Sequence, residues 1–230
     1  LQLEETSTSP IYPPRGLDPE EWRYRVRELA LRSNYFMAKA VIGFNDITPD
    51  CHGPFCEFIE RPTKRKYGLA PRDHLKTSLW TISDCVRRIA RNPNIRILLG
   101  NETATNVSHM LRRIQAVFMR CATFQWLFPE LIPPDFSKVK WSETEMCIPR
   151  SEDYPESTIE TIGVGGAVVS RHFNLIKLDD LVGKEASESD EVMRKTIDWY
   201  LYCESLLNSP SDEIQVYGTR WSYRDMYQWI

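Results

Sequence analysis

Lys76 and Thr77 sit between an apolar stretch, Tyr67-Gly68-Leu69-Ala70, and a run whose apolar residues recur at helical spacing. In that setting a lysine reaches the phosphate oxygens of a nucleoside triphosphate, and the hydroxyl beside it can hold Mg²⁺. The full pattern G-x-x-x-x-G-K-[ST] asks for glycine at 70 and 75, where this chain has Ala70 and Leu75. Alone, then, Lys-Thr is as consistent with the opening of an ordinary helix. The second half of the signal is Phe173-Asn174-Leu175-Ile176-Lys177-Leu178-Asp179-Asp180, a mostly apolar segment ending in two acids. Triphosphate hydrolysis uses such a pair, one acid for the metal and one for the attacking water. The competing reading of the two acids is a helix cap after a buried strand.

The elements that must position these groups follow from periodicity. Asp18-Pro19-Glu20-Glu21 combines an N-cap acid, a proline at the first helical position and first-turn glutamates, so a helix starts there, with Trp22, Val26, Leu29 and Phe36 on its apolar side. A second short helix is expected over 53–60, and Tyr67 to Ala70 is expected as the first core strand. Beyond the lysine, Leu79, Ile82, Val86 and Ile89 share one helical face, and Asn92-Pro93 ends it. Ile95 to Leu99 reads as a buried strand and Val107, Leu111, Ile114 and Phe118 as the next helix. This βαβ rhythm predicts an α/β fold with a mainly parallel, doubly wound sheet, flanked by helices on both faces and carrying ligands at the carboxyl ends of its strands. Between 139 and 169, short apolar runs that include Val168 and Val169 predict extra antiparallel strands. The acid-ended strand at 173–178, a long helix within 188–208 and a strand from Glu213 to Tyr217 follow. Residues 1–17, with Pro10, Pro13 and Pro14, are expected to form an extended arm, and 18–230 one domain.

Composition narrows the class. No apolar run approaches the roughly 20 residues of a membrane helix, which predicts a soluble protein. The six cysteines lack the spacing of a secreted disulfide framework, which predicts reduced thiols in a cytosolic compartment. Cys51-His52 with Cys56 resembles half a zinc site, but no second ligand cluster follows. The net charge of −3 hides an asymmetry: residues 61–120 hold 13 Lys/Arg against the acids Asp73, Asp84 and Glu102, or +10, leaving −13 for the remainder. Such a stretch suits a phosphate backbone; equally, its arginines could dress solvated faces.

Taken in order, these segments resemble the ATPase domain of tailed-phage large terminases, the motors that drive viral DNA into a preformed capsid. Four stretches carry the resemblance. Ala70-Pro71-Arg72-Asp73-His74-Leu75-Lys76-Thr77-Ser78 is similar to the family's Ala-Pro-Arg-Gly-His-Gly-Lys-Ser-Thr loop, departing at Asp73 and Leu75. Ile162-Gly163-Val164-Gly165-Gly166, running on to Ser170-Arg171-His172-Phe173, looks like the lead-in to the acid strand, and Leu178-Asp179-Asp180 like its end. Gly218-Thr219-Arg220-Trp221 looks like the coupling motif. The family often has Asp-Glu where this chain has Asp179-Asp180, so the second carboxylate is shorter by roughly 1.5 Å.

The resemblance implies a P-loop fold of the additional-strand type and the ligands ATP and Mg²⁺. Pro71, Arg72, Asp73, His74, Leu75, Lys76, Thr77 and Ser78 would form the phosphate loop, with Lys76 on the β- and γ-phosphates. Thr77 and Asp179 would hold Mg²⁺, Asp180 would orient water, and Arg72 would sense the γ-phosphate. Arg171 would serve a neighbouring subunit as an arginine finger, and Gly218, Thr219 and Arg220 would couple hydrolysis to DNA. His74 is expected to shape the loop. Gly163, Gly165 and Gly166 fail the dinucleotide pattern, because no helix follows them, and read as turn glycines. The implied partners are double-stranded DNA, the portal protein of the procapsid, the small terminase subunit and further copies in a ring, with no membrane. The implied location is the cytoplasm of an infected bacterial host. No acidic cluster follows Gly218, so the family's carboxy-terminal nuclease is not expected in this chain. A helicase-like translocase and a non-hydrolysing nucleotide-binding scaffold are the alternatives.

Overall fold

The computed structural model describes residues 11, 13–167, 170–187, 189–223 and 225–230. Its centre is a six-stranded sheet in the order β1-β6-β5-β2-β4-β3. The strands are β1 (Arg65–Leu69), β2 (Ile97–Asn101), β3 (Glu145–Met146), β4 (Ile159–Gly163), β5 (Leu175–Asp179) and β6 (Glu213–Gly218). Every pairing is parallel except that of β3 with β4. Helices cover both faces. On one lie α1 (Pro19–Arg32), α4 (Asp84–Arg91), α5 (Ala104–Arg120) and α6 (Ala122–Leu127); on the other lie α7 (Lys184–Ser187), α8 (Asp190–Glu204) and α9 (Met226–Trp229). Strands buried on both faces need apolar residues at nearly every position. In β2, Ile97 and Leu99 face the first layer and Leu98 the second, while Gly100 leaves room for the Trp199 ring.

Several boundaries differ from the periodicity. The first helix is capped by the Asp18 side chain, as the residues predict, but ends at Arg32. Ser33 then caps a separate short helix, α2 (Asn34–Phe36), which continues as a π-helical segment over Met37–Ile42. Leu29 is exposed, and Phe36 belongs to that second helix. The expected 53–60 helix is α3 (Pro49–Glu60), started by Pro49 at its first turn. β1 is an edge strand rather than a core strand: it alternates exposed and buried positions and pairs only with β6. In the 139–169 region the antiparallel pairings among the described residues are the short β3–β4 ladder and a single Trp141–Met146 bridge, since β4 joins β2 in parallel. Val168 and Val169 lie outside the described residues, as do residues 1–10 and 12 of the amino-terminal segment. Of that segment, Ile11 and Leu17 pack against the first layer.

The basic stretch divides: Arg61, Lys64, Arg65, Arg72, Arg91, Arg112, Arg113 and Arg120 are exposed, and the others are drawn inward. Lys66 pairs with Glu213, Arg87 with Asp84, Arg88 with both acids, and Arg96 with Glu156. Beside Asp84 lies Lys177, fully buried in β5 between Ile176 and Leu178. Its ammonium donates to Asp84 Oδ2 at 2.8 Å, to the Trp80 carbonyl and to Gln215 Oε1. Burial alone would raise the Asp84 carboxyl, but Lys177, Arg88 and Arg87 hold it far below the usual range. Removing one member strands the rest in a dry interior. Lys177→Met is expected to destabilise the chain by about 3 kcal/mol in a urea titration, and adding Asp84→Asn should cost less than the sum of the two single losses.

Candidate nucleotide site

The loop between β1 and the following helix runs Ala70 to Lys76. Asp73 (φ 64°) and Leu75 (φ 54°) occupy the left-handed region that favours glycine. These are the two positions where the loop departs from the glycine-bearing form, so the backbone keeps the shape while the side chains disfavour it, at a cost on the order of 1 kcal/mol each. Leu75 is half-buried against a cluster with Trp80 and Tyr217, which anchors it, whereas Asp73 is exposed. His74 Nδ1 donates to the Arg72 carbonyl at 2.8 Å and so shapes the loop.

From Thr77 to Ser83 the helix takes the wide π form, in which the Asp84 amide reaches back to the Leu79 carbonyl. Such segments are rare and often mark functional sites. Here the segment faces the end of β5. Thr81 Oγ1 donates to Asp179 Oδ2 at 2.7 Å. Asp179 is wholly buried, and its Oδ1 makes no hydrogen bond among the described residues. Burial, and next the charge of Asp180, push its carboxyl up from 3.8 to about 6, although Thr81, Lys76 and Thr77 pull the other way. Oxygen donors with one buried valence to spare fit Mg²⁺, which is usually held by one or two protein groups and completed by phosphate and water. Thr77 and Asp179 are the residues that would hold it. No cluster of three His, Cys, Asp or Glu suited to a metal occurs among the described residues; of the half zinc pattern, Cys51 is exposed while His52 and Cys56 are buried.

Asp180 is the meeting point. Separated from Lys76 by 104 residues, its Oδ2 accepts from the Lys76 ammonium at 2.6 Å. Its Oδ1 accepts from the Thr219 amide at 3.1 Å. Its backbone is left-handed (φ 50°), and its carbonyl accepts from the Glu102 amide. Thr219 Oγ1 in turn donates to the Ala70 carbonyl. The Arg72 guanidinium lies over the Trp221 ring, 3.9 Å from its centre. Arg72, Lys76, Glu102, Asp180, Thr219 and Trp221 thus line one cleft of about 270 Å³ at the carboxyl ends of the strands.

The remaining predicted residues fall elsewhere. Pro71 is exposed at the start of the loop, and Ser78 is buried, accepting from Arg113. Arg220 turns away from the cleft toward Gln228 and Asp225. The Tyr227 ring covers Gly218 so closely that a methyl group there would overlap it. Arg171 precedes the amino end of β5, opposite the cleft, and pairs with Glu160. Gly165 and Gly166 form a turn, and Gly163 abuts the start of α5. Glu102, which follows a strand with no recognisable pattern, escaped the motif reading, and Trp221 entered it only as part of the coupling stretch, since its contact with Arg72 spans distant segments.

Compared with models of known protein families and with curated proteins, the chain matches none.

A group whose pKa is raised on folding favours the folded state below its ordinary pKa and loses that contribution as pH rises through the folded value. Asp179 should therefore cost the ligand-free protein about 3 kcal/mol between pH 4 and pH 8. Denaturant titrations of wild type and Asp179→Asn across that range should show the difference between them growing in the variant's favour as pH rises from 3.8 and levelling off above about 6.

Proposed function

We propose that this chain is an ATP-hydrolysing motor domain of the DNA-packaging type, a P-loop fold with an additional strand. The observation that carries the ATPase reading is the convergence of Lys76 and Thr77 with Asp179 and Asp180 at the carboxyl ends of β1 and β5, with β6 inserted between those strands. A left-handed backbone at both glycine positions supports a functional loop over a decayed one. In this reading Lys76 leaves Asp180 to neutralise the β- and γ-phosphates. Thr77 and Asp179 hold Mg²⁺, which when bound spreads the negative charge that builds on the transferring phosphoryl group. Arg72 exchanges the Trp221 face for the γ-phosphate.

The packaging role rests on the four resembling stretches and their order. Thr219 gives the coupling motif a physical basis: its amide holds Asp180 and its hydroxyl holds the strand that bears the loop. A change at the triphosphate thereby reaches the segment beyond β6. Double-stranded DNA, a capsid portal, a small terminase subunit and a ring of copies are the partners this reading assigns. Arg171 sits too far from its own cleft to act there, so a role in catalysis would fall at a neighbouring copy's site.

Lys76→Ala should abolish phosphate release from ATP, with and without double-stranded DNA, while the thermal midpoint stays within a few degrees. Hydrolysis at the wild-type rate by the folded variant would exclude the motor. Asp73→Gly relieves a strained backbone and removes an anion from beside a polyanionic ligand, so it should tighten ATP binding several-fold as measured by calorimetry; weaker binding would mean that the loop does not cradle phosphate.

A further inference from the structure

We infer that Glu102, and not Asp180, is the carboxylate that orients and deprotonates the attacking water, an assignment that rests on the ATPase reading above. Three observations carry it. First, both oxygens of Asp180 are committed, Oδ2 to Lys76 and Oδ1 to the Thr219 amide. When phosphate draws Lys76 away, the Thr219 bond still ties the carboxylate to the coupling segment. Asp180 is thus placed to report the state of the site.

Second, Glu102 follows directly on β2, the strand beside β5, and its amide donates to the Asp180 carbonyl at 3.1 Å. Asn101 adds a bond from its side chain to the Asp179 carbonyl at 2.6 Å. The two strand ends are stitched together, and the longer glutamate side chain lines the cleft that holds Lys76 and Arg72. Third, the chain opposite is shaped for this carboxylate. A methyl group built on Gly183 would overlap both Glu102 oxygens, and the Gly183 backbone is not one that requires glycine. The residue is small because the carboxylate occupies the space.

The step balances as a hydrolysis. The water oxygen bonds to the γ-phosphorus while the bond from that phosphorus to the β,γ-bridging oxygen breaks. ADP leaves with the bonding pair, and the water proton passes to Glu102 and then to solvent. A general base of this kind contributes about 10²- to 10⁴-fold.

The test is steady-state ATP hydrolysis by the purified chain with Mg²⁺, with binding of a fluorescent methylanthraniloyl-ATP followed in parallel. Glu102→Gln should lower kcat at least about 100-fold with the analogue's affinity held within about threefold, and Glu102→Asp should recover part of the rate. Gly183→Ala, which leaves Glu102 in place but moves its carboxylate, should lower kcat in the same direction without losing nucleotide. A folded Glu102→Gln enzyme within about threefold of the wild-type kcat, beside an inactive Asp180→Asn enzyme that still binds nucleotide, would overturn the inference and leave the ATPase reading standing. Wild-type turnover unaffected by Lys76→Ala would remove the ATPase reading, and the inference with it.

Discussion

The buried ammonium of Lys177 sets the constraint that the rest of the fold meets. A charge at the middle of the central strand is tolerated only with anionic and dipolar partners on every side. Asp84, the Trp80 carbonyl and Gln215 supply them, one from α4, one from the π-helical segment and one from β6. The network therefore fixes the height and rotation of the helix behind the lysine loop relative to β5. Asp179 lies two residues beyond Lys177 on the same face of the strand. The register that satisfies the ammonium also delivers Asp179 to Thr81 and Thr77. Packing and site chemistry are here one alignment.

Within the cleft the opposing charges are matched before any ligand arrives. Lys76 is buried on Asp180, and Arg72, though exposed, rests on the Trp221 face, so each cation already has a partner. A polyanion entering this space must displace both contacts, which makes its arrival an exchange of partners and not a simple addition. Asp179 behaves differently, because its raised pKa and unpartnered oxygen disfavour the ionised ligand-free state. Bound cation would remove that penalty.

The sequence was most legible where chemistry and periodicity coincided. Lys76, Thr77, Asp179 and Asp180 were readable because a lysine-hydroxyl pair and an acid pair each stood at the edge of an apolar run. The helical run with Leu79, Ile82, Val86 and Ile89 was legible as a helix, but not its π-form first half, which turns Leu79 into a separate cluster from the other three. Less legible was whatever depended on pairing between distant segments. That β1 lies at an edge follows from β6 inserting beside it, which no local pattern reveals. That β4 runs parallel to β2 likewise depends on a partner about sixty residues away. The basic stretch was only partly legible, because charge counts do not distinguish exposed residues such as Arg112 and Arg113 from Lys66, Arg87 and Arg96, which are neutralised inside. Glu102 was invisible for a related reason: a lone acid after a strand acquires meaning only when Asp180, Lys76 and Gly183 surround it.

The edge position of β1 has a mechanical consequence. The strand that bears the lysine loop hydrogen-bonds to a single neighbour, β6, and that neighbour runs into Thr219. Its other side pairs with no strand among the described residues. The loop and the segment after β6 are therefore borne side by side by one pair of strands, joined to the rest of the sheet along the β6–β5 seam. Both ends of that pair meet again at Asp180, which takes Lys76 from one and the Thr219 amide from the other, so a displacement at either end is felt at the same carboxylate.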